Sequence, residues 1–334
     1  MTHLDMEFPS FAGVPDEDIS LLSRPQSQEL ARWLWFDGEI REAESTRIHY
    51  YANALHYGTG VFEGVRCYPT PRGTVLFRLK DHIERLYRSA QLYGMRLPFE
   101  VSDLVRGAVE ITARNAIEHG YLRPLAFFGR GPIDIKPKVE CPVHVLLAIR
   151  SLGSFLGQSA MRNGTRLTIS SWRKIHHSMI PTMAKACGQY VNNVLAAHEA
   201  IDRGFDDAIM LNIDGTVASA TGMNVFFRQR DQLITNDAQS SIVPGMTRDC
   251  IITLARDAGI EVVVRSFTRE DLFRADEVFL TGTAVEVTPV RELEGVQYQT
   301  GRKTLGGFLQ HEYLRLVTGG NEKYADWLTY VAAP

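Results

Sequence analysis

The stretch Met179-Ile180-Pro181-Thr182-Met183-Ala184-Lys185-Ala186-Cys187-Gly188-Gln189-Tyr190 decides how this chain is interpreted. Lys185 has small or apolar neighbours there, whereas the other lysines lie in polar, charged or turn-like segments. Removal from water disfavours the charged ammonium, so a lysine in such a place loses its proton more readily. A neutral amine can attack a carbonyl carbon and form a Schiff base. The alternative is an ordinary solvated lysine, since lysine is almost never fully buried.

The composition is that of a globular protein, because 45% of the 334 residues are apolar and 22% are charged. The length indicates two domains or one large α/β unit. A net charge of −3 gives no sign of a nucleic-acid or membrane partner. The four cysteines have no CxxC spacing, which argues against a metal site and fits a reducing cytoplasm. We see no signal peptide, and no apolar run approaches the roughly 20 residues that span a bilayer.

Helical and strand periodicities alternate along the chain and predict an α/β or α+β fold in two domains. The small residues around position 155 separate two apolar strands and indicate an interdomain linker. We predict an N-terminal extension over 1–32, a small α/β domain over 33–150, a linker over 151–161 and a larger domain over 162–334. The predicted helices cover residues 81–93, 101–119, 186–203 and 247–258.

Three segments offer groups that suit an anion. Pro244-Gly245-Met246-Thr247-Arg248 places free backbone amides and a hydroxyl at a predicted helix start, where the helix dipole is positive. An ordinary Pro-Gly turn with a threonine cap explains that segment equally well. Thr281-Gly282-Thr283-Ala284 follows a predicted strand and offers further hydroxyls and amides. Arg85 lies on a predicted helix, where a solvated face is the alternative.

Together with Lys185, these segments resemble the branched-chain amino acid aminotransferases, which use pyridoxal phosphate (PLP) and have the fold-type IV architecture. The resemblance runs from about Trp33 to near the C-terminus. The matching motifs are Ala54-Leu55-His56-Tyr57-Gly58, Val61-Phe62-Glu63-Gly64-Val65-Arg66-Cys67-Tyr68, Tyr121-Leu122-Arg123-Pro124, Ile180-Pro181-Thr182-Met183-Ala184-Lys185, Pro244-Gly245-Met246-Thr247-Arg248 and Asp276-Glu277-Val278-Phe279-Leu280-Thr281-Gly282-Thr283-Ala284.

The resemblance implies a role for each site residue. Lys185 would be the catalytic residue, holding PLP as a Schiff base and later carrying the substrate's α-proton. The other implied cofactor-binding residues are Arg85, Met246, Thr247 and Thr283 at the phosphate, Tyr190 at the pyridine O3′ and Ser219 near the pyridine nitrogen. The implied substrate-binding residues are Tyr57, Phe62, Arg66, Tyr121, Arg123, Phe155, Thr283 and Ala284. Tyr57 would reach in from a neighbouring subunit, which implies a homodimer or higher homo-oligomer acting on amino acids and 2-oxo acids.

One position departs from the family pattern in a way that bears on chemistry. The family carries a glutamate opposite the pyridine nitrogen, but Ser219 occupies that position, and Asn224 and Phe226 fix the register. A carboxylate there keeps the nitrogen protonated and makes the ring a stronger electron sink. Lys174 also replaces a frequent arginine, and Met223 replaces a glutamate that the family can carry.

Three interpretations therefore stay open. The first is an aminotransferase with a modified electron sink and an unusual substrate. The second is a PLP enzyme that performs racemisation, elimination or β-replacement. The third is a weakly active homologue with a binding role.

Overall fold

The computed structural model describes residues 31–331, which form two β-sheets flanked by helices. In chain order the helices are α1 (Asn53–Tyr57), α2 (Leu79–Leu92), α3 (Val101–Arg114), α4 (Pro137–Glu140), α5 (Gly157–Asn163), α6 (Tyr190–Asp202), α7 (Met246–Asp257), α8 (Arg269–Phe273) and α9 (Leu305–Val317). Three short 3₁₀ turns cover Ala43–Ser45, Cys187–Gln189 and Glu322–Trp327.

The strands divide between the two sheets in an almost sequential way. They are β1 (Trp33–Phe36), β2 (Glu39–Glu42), β3 (Gly60–Phe62), β4 (Val65–Thr70), β5 (Gly73–Phe77), β6 (Gly120–Phe128), β7 (Val143–Ser151), β8 (Thr165–Ile169), β9 (Asp207–Leu211), β10 (Val217–Ala220), β11 (Asn224–Gln229), β12 (Gln232–Thr235), β13 (Glu261–Val264), β14 (Glu277–Gly282), β15 (Glu286–Leu293), β16 (Val296–Gln297) and β17 (Leu328–Tyr330). The first sheet has the order β17-β5-β4-β6-β7-β1-β2, with β3 on β6. The second has the order β10-β9-β8-β15-β14-β11-β12-β13, with β16 on β15.

The first sheet starts with a hairpin that the sequence predicts well. β1 and β2 pair across Asp37 and Gly38, which both have positive φ, as a tight Asp-Gly turn requires. Helices α2 and α3 cover one face of this sheet and bury a core that includes Ile83, Leu104 and Leu147. Arg85 and His82 lie on the buried side of α2, so this packing also positions two polar side chains.

Helix α3 ends at Arg114, which is earlier than the predicted end at residue 119. The cause is Asn115, whose side-chain amide donates to the Ile111 carbonyl and to the Trp33 carbonyl, while its oxygen accepts from the Trp33 backbone amide at 3.0 Å. These bonds to β1 compete with further helical turns. Ala116 then takes a positive φ of 50°, which is incompatible with helix.

The second sheet is mixed, because β8 pairs in parallel with both β9 and β15 whereas β14 is antiparallel to its neighbours. Its two faces are apolar: one packs on α7 and α9, and the other encloses Ile209, Val225 and Leu280. β8 ends at Ile169, and two residues later the Ser171 amide donates to Glu199 of α6 instead of to a neighbouring strand.

The chain passes from the first sheet to the second near the predicted linker, but its last described strand, β17, returns to the first sheet. β17 pairs with β5 of the first sheet, with Leu328 opposite Phe77. Tyr68 and Phe77 also pack with Phe226 and Phe279 of the second sheet, so one apolar core joins both sheets. The domain limits stay a prediction, and the predicted N-terminal extension lies almost wholly outside the described residues. Among residues 31–331 no helix is long and apolar enough to cross a membrane.

Candidate active site

Lys185 opens into a solvent-accessible cleft between the two sheets. The lining side chains come from α2, α6, β10, β14 and the loops before α6 and α7. They are Arg85, Lys174, Lys185, Tyr190, Asn193, Ser219, Ala220, Thr221, Gly222, Met223, Asn224, Val243, Gly245, Thr281, Gly282 and Thr283.

The backbone around Lys185 is fixed by the first sheet. Its amide donates to the Ser89 hydroxyl at 3.1 Å, and its carbonyl accepts from the Phe62 amide at 2.9 Å. The side chain then extends from a short loop into the cleft. Its Nζ lies 2.5 Å from the Tyr190 hydroxyl and 4.8 Å from the centre of the Phe62 ring. An amine held beside an aromatic face and a phenol is well placed to meet a carbonyl compound.

Arg85 lies at another end of the cleft and is held by a buried carboxylate. Its Nε and Nη2 donate to the two oxygens of Glu63 at 2.6 and 2.8 Å, and Nη1 donates to the Pro244 carbonyl at 2.5 Å. His82 also lies 2.8 Å from Glu63. The Nε edge of the guanidinium is therefore occupied, and the remaining Nη hydrogens are the ones available to a ligand.

The charges of this cluster balance internally. Burial alone raises the pKa of Glu63, but the charge and hydrogen bonds of Arg85, together with those of His82, outweigh it and hold the pKa well below its usual range. Burial lowers the pKa of His82 despite Glu63, so a neutral ring donates its Nδ1 hydrogen to the carboxylate. Reasoning from the sequence assigned Glu63 and His82 no role. Their signal was present, since Glu63 stands inside the Phe62-Glu63-Gly64 motif and His82 precedes Arg85 by three residues.

The start of α7 is next to Arg85. Gly245 is its N-cap, and a Cβ there would collide with Asn224 Oδ1, which accepts from the Gly245 amide at 3.1 Å. Met246 and Thr247 are the first two helical residues, so their amides have no acceptor within the helix. Gly245 lines the cleft with Arg85, whereas Met246 and Thr247 follow directly without lining it, so the partially positive helix start lies beside the Arg85 guanidinium.

Thr281 and Thr283 also line this cleft. The Thr281 hydroxyl is buried and has no hydrogen-bond partner among the described residues. Such a hydroxyl normally finds an acceptor, so its position fits a ligand with anionic or carbonyl oxygens. Ala284 follows directly but does not line the cleft.

Ser219 is almost fully buried on β10 and lines the cleft. Lys174 lies in the same wall and donates to Asn193 Oδ1 at 2.8 Å. Burial and the nearby charge of Lys185 lower the pKa of Lys174 to about 8. Among the described residues no aspartate or glutamate lines this cleft.

The predicted substrate residues fall into two groups. Phe62, Tyr121 and Arg123 lie together beside Lys185: the Arg123 guanidinium lies 4.6 Å from the Phe62 ring centre and 5.2 Å from that of Tyr121. The Phe62 ring also meets the Tyr190 ring edge-on, with centroids 4.7 Å apart. This group forms a partly apolar wall next to the amine.

The second group does not reach the cleft within one chain. Arg66 is completely buried, with Nη1 and Nη2 donating to the Leu152 and Gly153 carbonyls at 2.5 and 3.0 Å. Tyr57 and Phe155 are largely exposed on the surface, at 43% and 55%. Their predicted contacts with substrate stay predictions.

The chemistry of the cleft fits PLP. Arg85 and the α7 amides suit its phosphate, Lys185 its aldehyde, and Tyr190 its phenol oxygen. The unpartnered Thr281 hydroxyl adds a donor for a further anionic group. Within the part of the chain that the structure describes, no lining carboxylate opposes the negative charge of such a ligand.

Comparison with known proteins gives consistent matches. Residues 60–293 match the family model described as amino-transferase class IV. The chain is 39% identical over 302 residues to a branched-chain-amino-acid aminotransferase of Pseudomonas aeruginosa, covering 89% of this chain and 97% of that protein. It is 37% identical over 302 residues to the Escherichia coli protein of the same name, covering 90% and 98%.

Solved structures agree with these matches. The Escherichia coli branched-chain amino acid aminotransferase superposes with a TM-score of 0.87 at 36% identity, covering 90% of this chain and all of that one (100%). A second solved structure is the T.th. branched-chain amino acid aminotransferase complexed with N-(5′-phosphopyridoxyl)-L-glutamate. Its TM-score is 0.85 at 38% identity, and the match covers 90% of this chain and 99% of that one.

Proposed function

Because this chain belongs to the amino-transferase class IV family, we propose that it transfers the amino group of a branched-chain amino acid to a 2-oxo acid. Membership confirms the predicted family, the fold-type IV class and a PLP-dependent aminotransferase activity. The racemase, lyase, replacement and binding-only alternatives are not favoured. The observation that carries the proposal is the Lys185 amine, 2.5 Å from Tyr190 and facing Phe62 in a cationic cleft.

We assign the cofactor residues from their positions in this cleft. Arg85, the Met246 and Thr247 amides and the Thr283 hydroxyl would hold the phosphate, and Tyr190 the phenol oxygen. Bound PLP supplies an electron sink for negative charge at the substrate α-carbon. Lys185 holds the cofactor and then moves the α-proton at its Nζ, while the Tyr190 hydroxyl orients that amine.

The substrate side chain would lie against the wall of Phe62 and Tyr121, with Arg123 covering both rings. An aliphatic side chain gains free energy there by leaving water, at about 25 cal/mol per Å² of apolar surface. The substrate carboxylate would accept from Thr283 and the Ala284 amide. Thr281, with its unpartnered hydroxyl, lies next to this position.

We further propose that the active unit is a homodimer or higher homo-oligomer. Four aromatic or aliphatic side chains on and before α1, Tyr50, Tyr51, Leu55 and Tyr57, are each at least 40% exposed, and the surface of α6 exposes Val191 at 62%. Clustered exposed apolar side chains of this kind mark interaction surfaces. A second copy covering them would bring its Tyr57 towards the cleft. A cytoplasmic location stays a proposal, supported by four free thiols.

A spectral screen of amino donors tests the substrate proposal. The purified holoenzyme is mixed with each common amino acid in the absence of an acceptor, and the cofactor absorbance is followed. We expect leucine, isoleucine and valine to give the fastest complete change, with alanine, aspartate and lysine much slower. A faster change with a basic donor, or no change with leucine, isoleucine or valine, would contradict the branched-chain assignment, although not the aminotransferase activity.

A further inference from the structure

The cofactor cleft is lined by positive charge alone. Arg85, Lys174 and Lys185 all face it, and no lining residue among those the structure describes is a carboxylate. The phosphate of PLP would face Arg85, which is already paired with Glu63, and the α7 amides. No described protein group in this wall is available to balance a further positive charge on the cofactor.

Three buried carboxylates near the cleft have partners of their own, and one of them, Glu286, accepts from the Tyr68 hydroxyl and lies 3.6 Å from Arg66. Glu63 accepts from Arg85 and His82. Asp207 accepts from the Ala208 amide at 2.6 Å and from the Thr221 amide and hydroxyl at 3.2 and 3.0 Å. Asp207 is therefore turned towards the backbone behind β10, and burial raises its pKa despite these bonds.

Lys174 lines the cleft together with Ser219, and hydrogen bonds hold its side chain in place. Its Nζ donates to Asn193 Oδ1 at 2.8 Å, and the Asn193 amide donates to the Thr221 carbonyl. This chain of bonds ties the amine to the turn that follows β10. A pKa of about 8 leaves Lys174 mostly protonated at neutral pH. A neighbouring positive charge disfavours any second cation in the same wall.

The covalent structure of PLP decides which of its atoms meets this wall. The ring nitrogen lies across the ring from the carbon that bears the aldehyde, and the phosphate arm and phenol oxygen flank that carbon. When Lys185, Arg85 and Tyr190 take these three groups, the nitrogen turns away from all of them. Apart from the residues at the phosphate corner and at the substrate carboxylate, the lining residues that remain are the segment from Ser219 to Asn224, Lys174 and Asn193.

We propose that Ser219 and Lys174 keep the ring nitrogen of bound PLP unprotonated, with the Ser219 hydroxyl donating a hydrogen bond to it. The inference rests on the proposed placement of the cofactor. A neutral pyridine draws electrons from the substrate less strongly than a pyridinium does, so these two residues set the reactivity of the cofactor. Lys174 contributes through its charge and Ser219 through its hydrogen bond.

Nitrogen NMR of the holoenzyme tests this directly. The protein is reconstituted with PLP carrying ¹⁵N in the ring, and the chemical shift is followed from pH 6 to 9. We expect the wild type at pH 7 to give the signal of a hydrogen-bonded neutral pyridine. In Ser219→Glu the new carboxylate should raise the pKa of the nitrogen by about 1 to 3 and move the signal towards that of a pyridinium.

Three further variants separate the contributions. Lys174→Met should shift the titration of the nitrogen to higher pH, because it removes the neighbouring cation. Ser219→Ala should move the signal to that of a pyridine without a hydrogen bond, and it keeps the test decisive if Ser219→Glu does not fold. Gln158→Glu adds the same charge at an exposed position outside the cleft and should leave the signal unchanged.

Two results would overturn the inference alone. One is a pyridinium signal from the wild type at pH 7. The other is a nitrogen signal that neither Ser219→Ala nor Lys174→Met changes from that of the wild type. A wild type that neither retains the labelled cofactor nor links it to Lys185 on borohydride treatment would instead overturn the proposed site. The two failures are therefore distinguishable.

Discussion

Replacing Glu63 with glutamine should uncouple Arg85 from its support while preserving the shape of the side chain. In the wild type the Glu63 carboxylate is fully buried and accepts from Arg85 Nε, Arg85 Nη2 and His82 Nδ1 at 2.6, 2.8 and 2.8 Å. Glutamine offers only one acceptor oxygen to these three donors. Its amide NH₂, which is itself a donor, would face at least one of them. The Arg85 charge then stays buried without compensation.

The size of the effect follows from this burial. Breaking a buried ion pair by removing one partner costs about 3–5 kcal/mol of unfolding free energy. We expect that loss in the apoenzyme. In the holoenzyme the loss should be smaller, because the phosphate of PLP faces Arg85 and compensates part of its charge. Glu63→Gln should therefore make stability depend more strongly on the cofactor than it does in the wild type.

The pH dependence has a defined sign. The pKa of Glu63 is lowered below its unperturbed value of 4.5, so its stabilisation is fully present above that value and is lost as pH falls towards the pKa of the folded protein. Glu63→Gln has no such group. The stability difference between wild type and variant should thus be constant near neutrality and should narrow at pH values below 4.5.

Urea unfolding of apo and holo forms, monitored by circular dichroism, measures both effects. The matched control is Glu42→Gln, because Glu42 pairs with Arg32 at 2.9 Å while the two side chains are 49% and 72% exposed. Such a pair contributes about 1 kcal/mol or less. The supporting role of Glu63 is refuted if Glu63→Gln loses no more unfolding free energy than this control. It is also refuted if the variant loses the same amount with and without PLP.

Other predictions concern the cleft. Lys185→Ala should abolish turnover and the borohydride-stable attachment of PLP without changing the circular dichroism; attachment that persists would refute the assignment. Arg85→Ala should weaken PLP retention about 10- to 150-fold, because a charge-assisted hydrogen bond to phosphate contributes roughly 1.5–3 kcal/mol. Dialysis against phosphate buffer measures this loss, and equal retention would place the phosphate elsewhere. Gly64→Ala should lower stability by about 1–3 kcal/mol, because a Cβ there overlaps the Tyr121 hydroxyl. The control Gly222→Ala has nothing within 4 Å of the added atom, and thermal unfolding should separate the two.

The sequence predicted those parts of the molecule that depend on local pattern. Helical spacing located α2, and a proline-glycine turn located the start of α7. The family resemblance brought Arg85, Lys185 and Tyr190 together in advance, and the cleft indeed contains all three.

Contacts between distant segments could not be predicted in this way. The end of α3 depends on bonds from Asn115 to Trp33, and the orientation of Arg85 depends on Glu63, which lies in another element. A single sequence shows which side chains can form ion pairs, but it does not show which of them the fold brings into contact. Arg66 illustrates the limit: the family resemblance implied a role in substrate binding, which stays a prediction, and no local pattern indicated that its donors meet the Leu152 and Gly153 carbonyls.

The pairing of β17 with β5 has a consequence for how the protein is made. The edge of the first sheet is completed by a strand about 250 residues after β5, so the ribosome must synthesise all of the second sheet before that edge closes. Until then β5 presents unpaired amides and carbonyls that another nascent chain could engage. Removing residues after Thr318 should accordingly reduce soluble yield during synthesis well before it affects any residue that touches substrate.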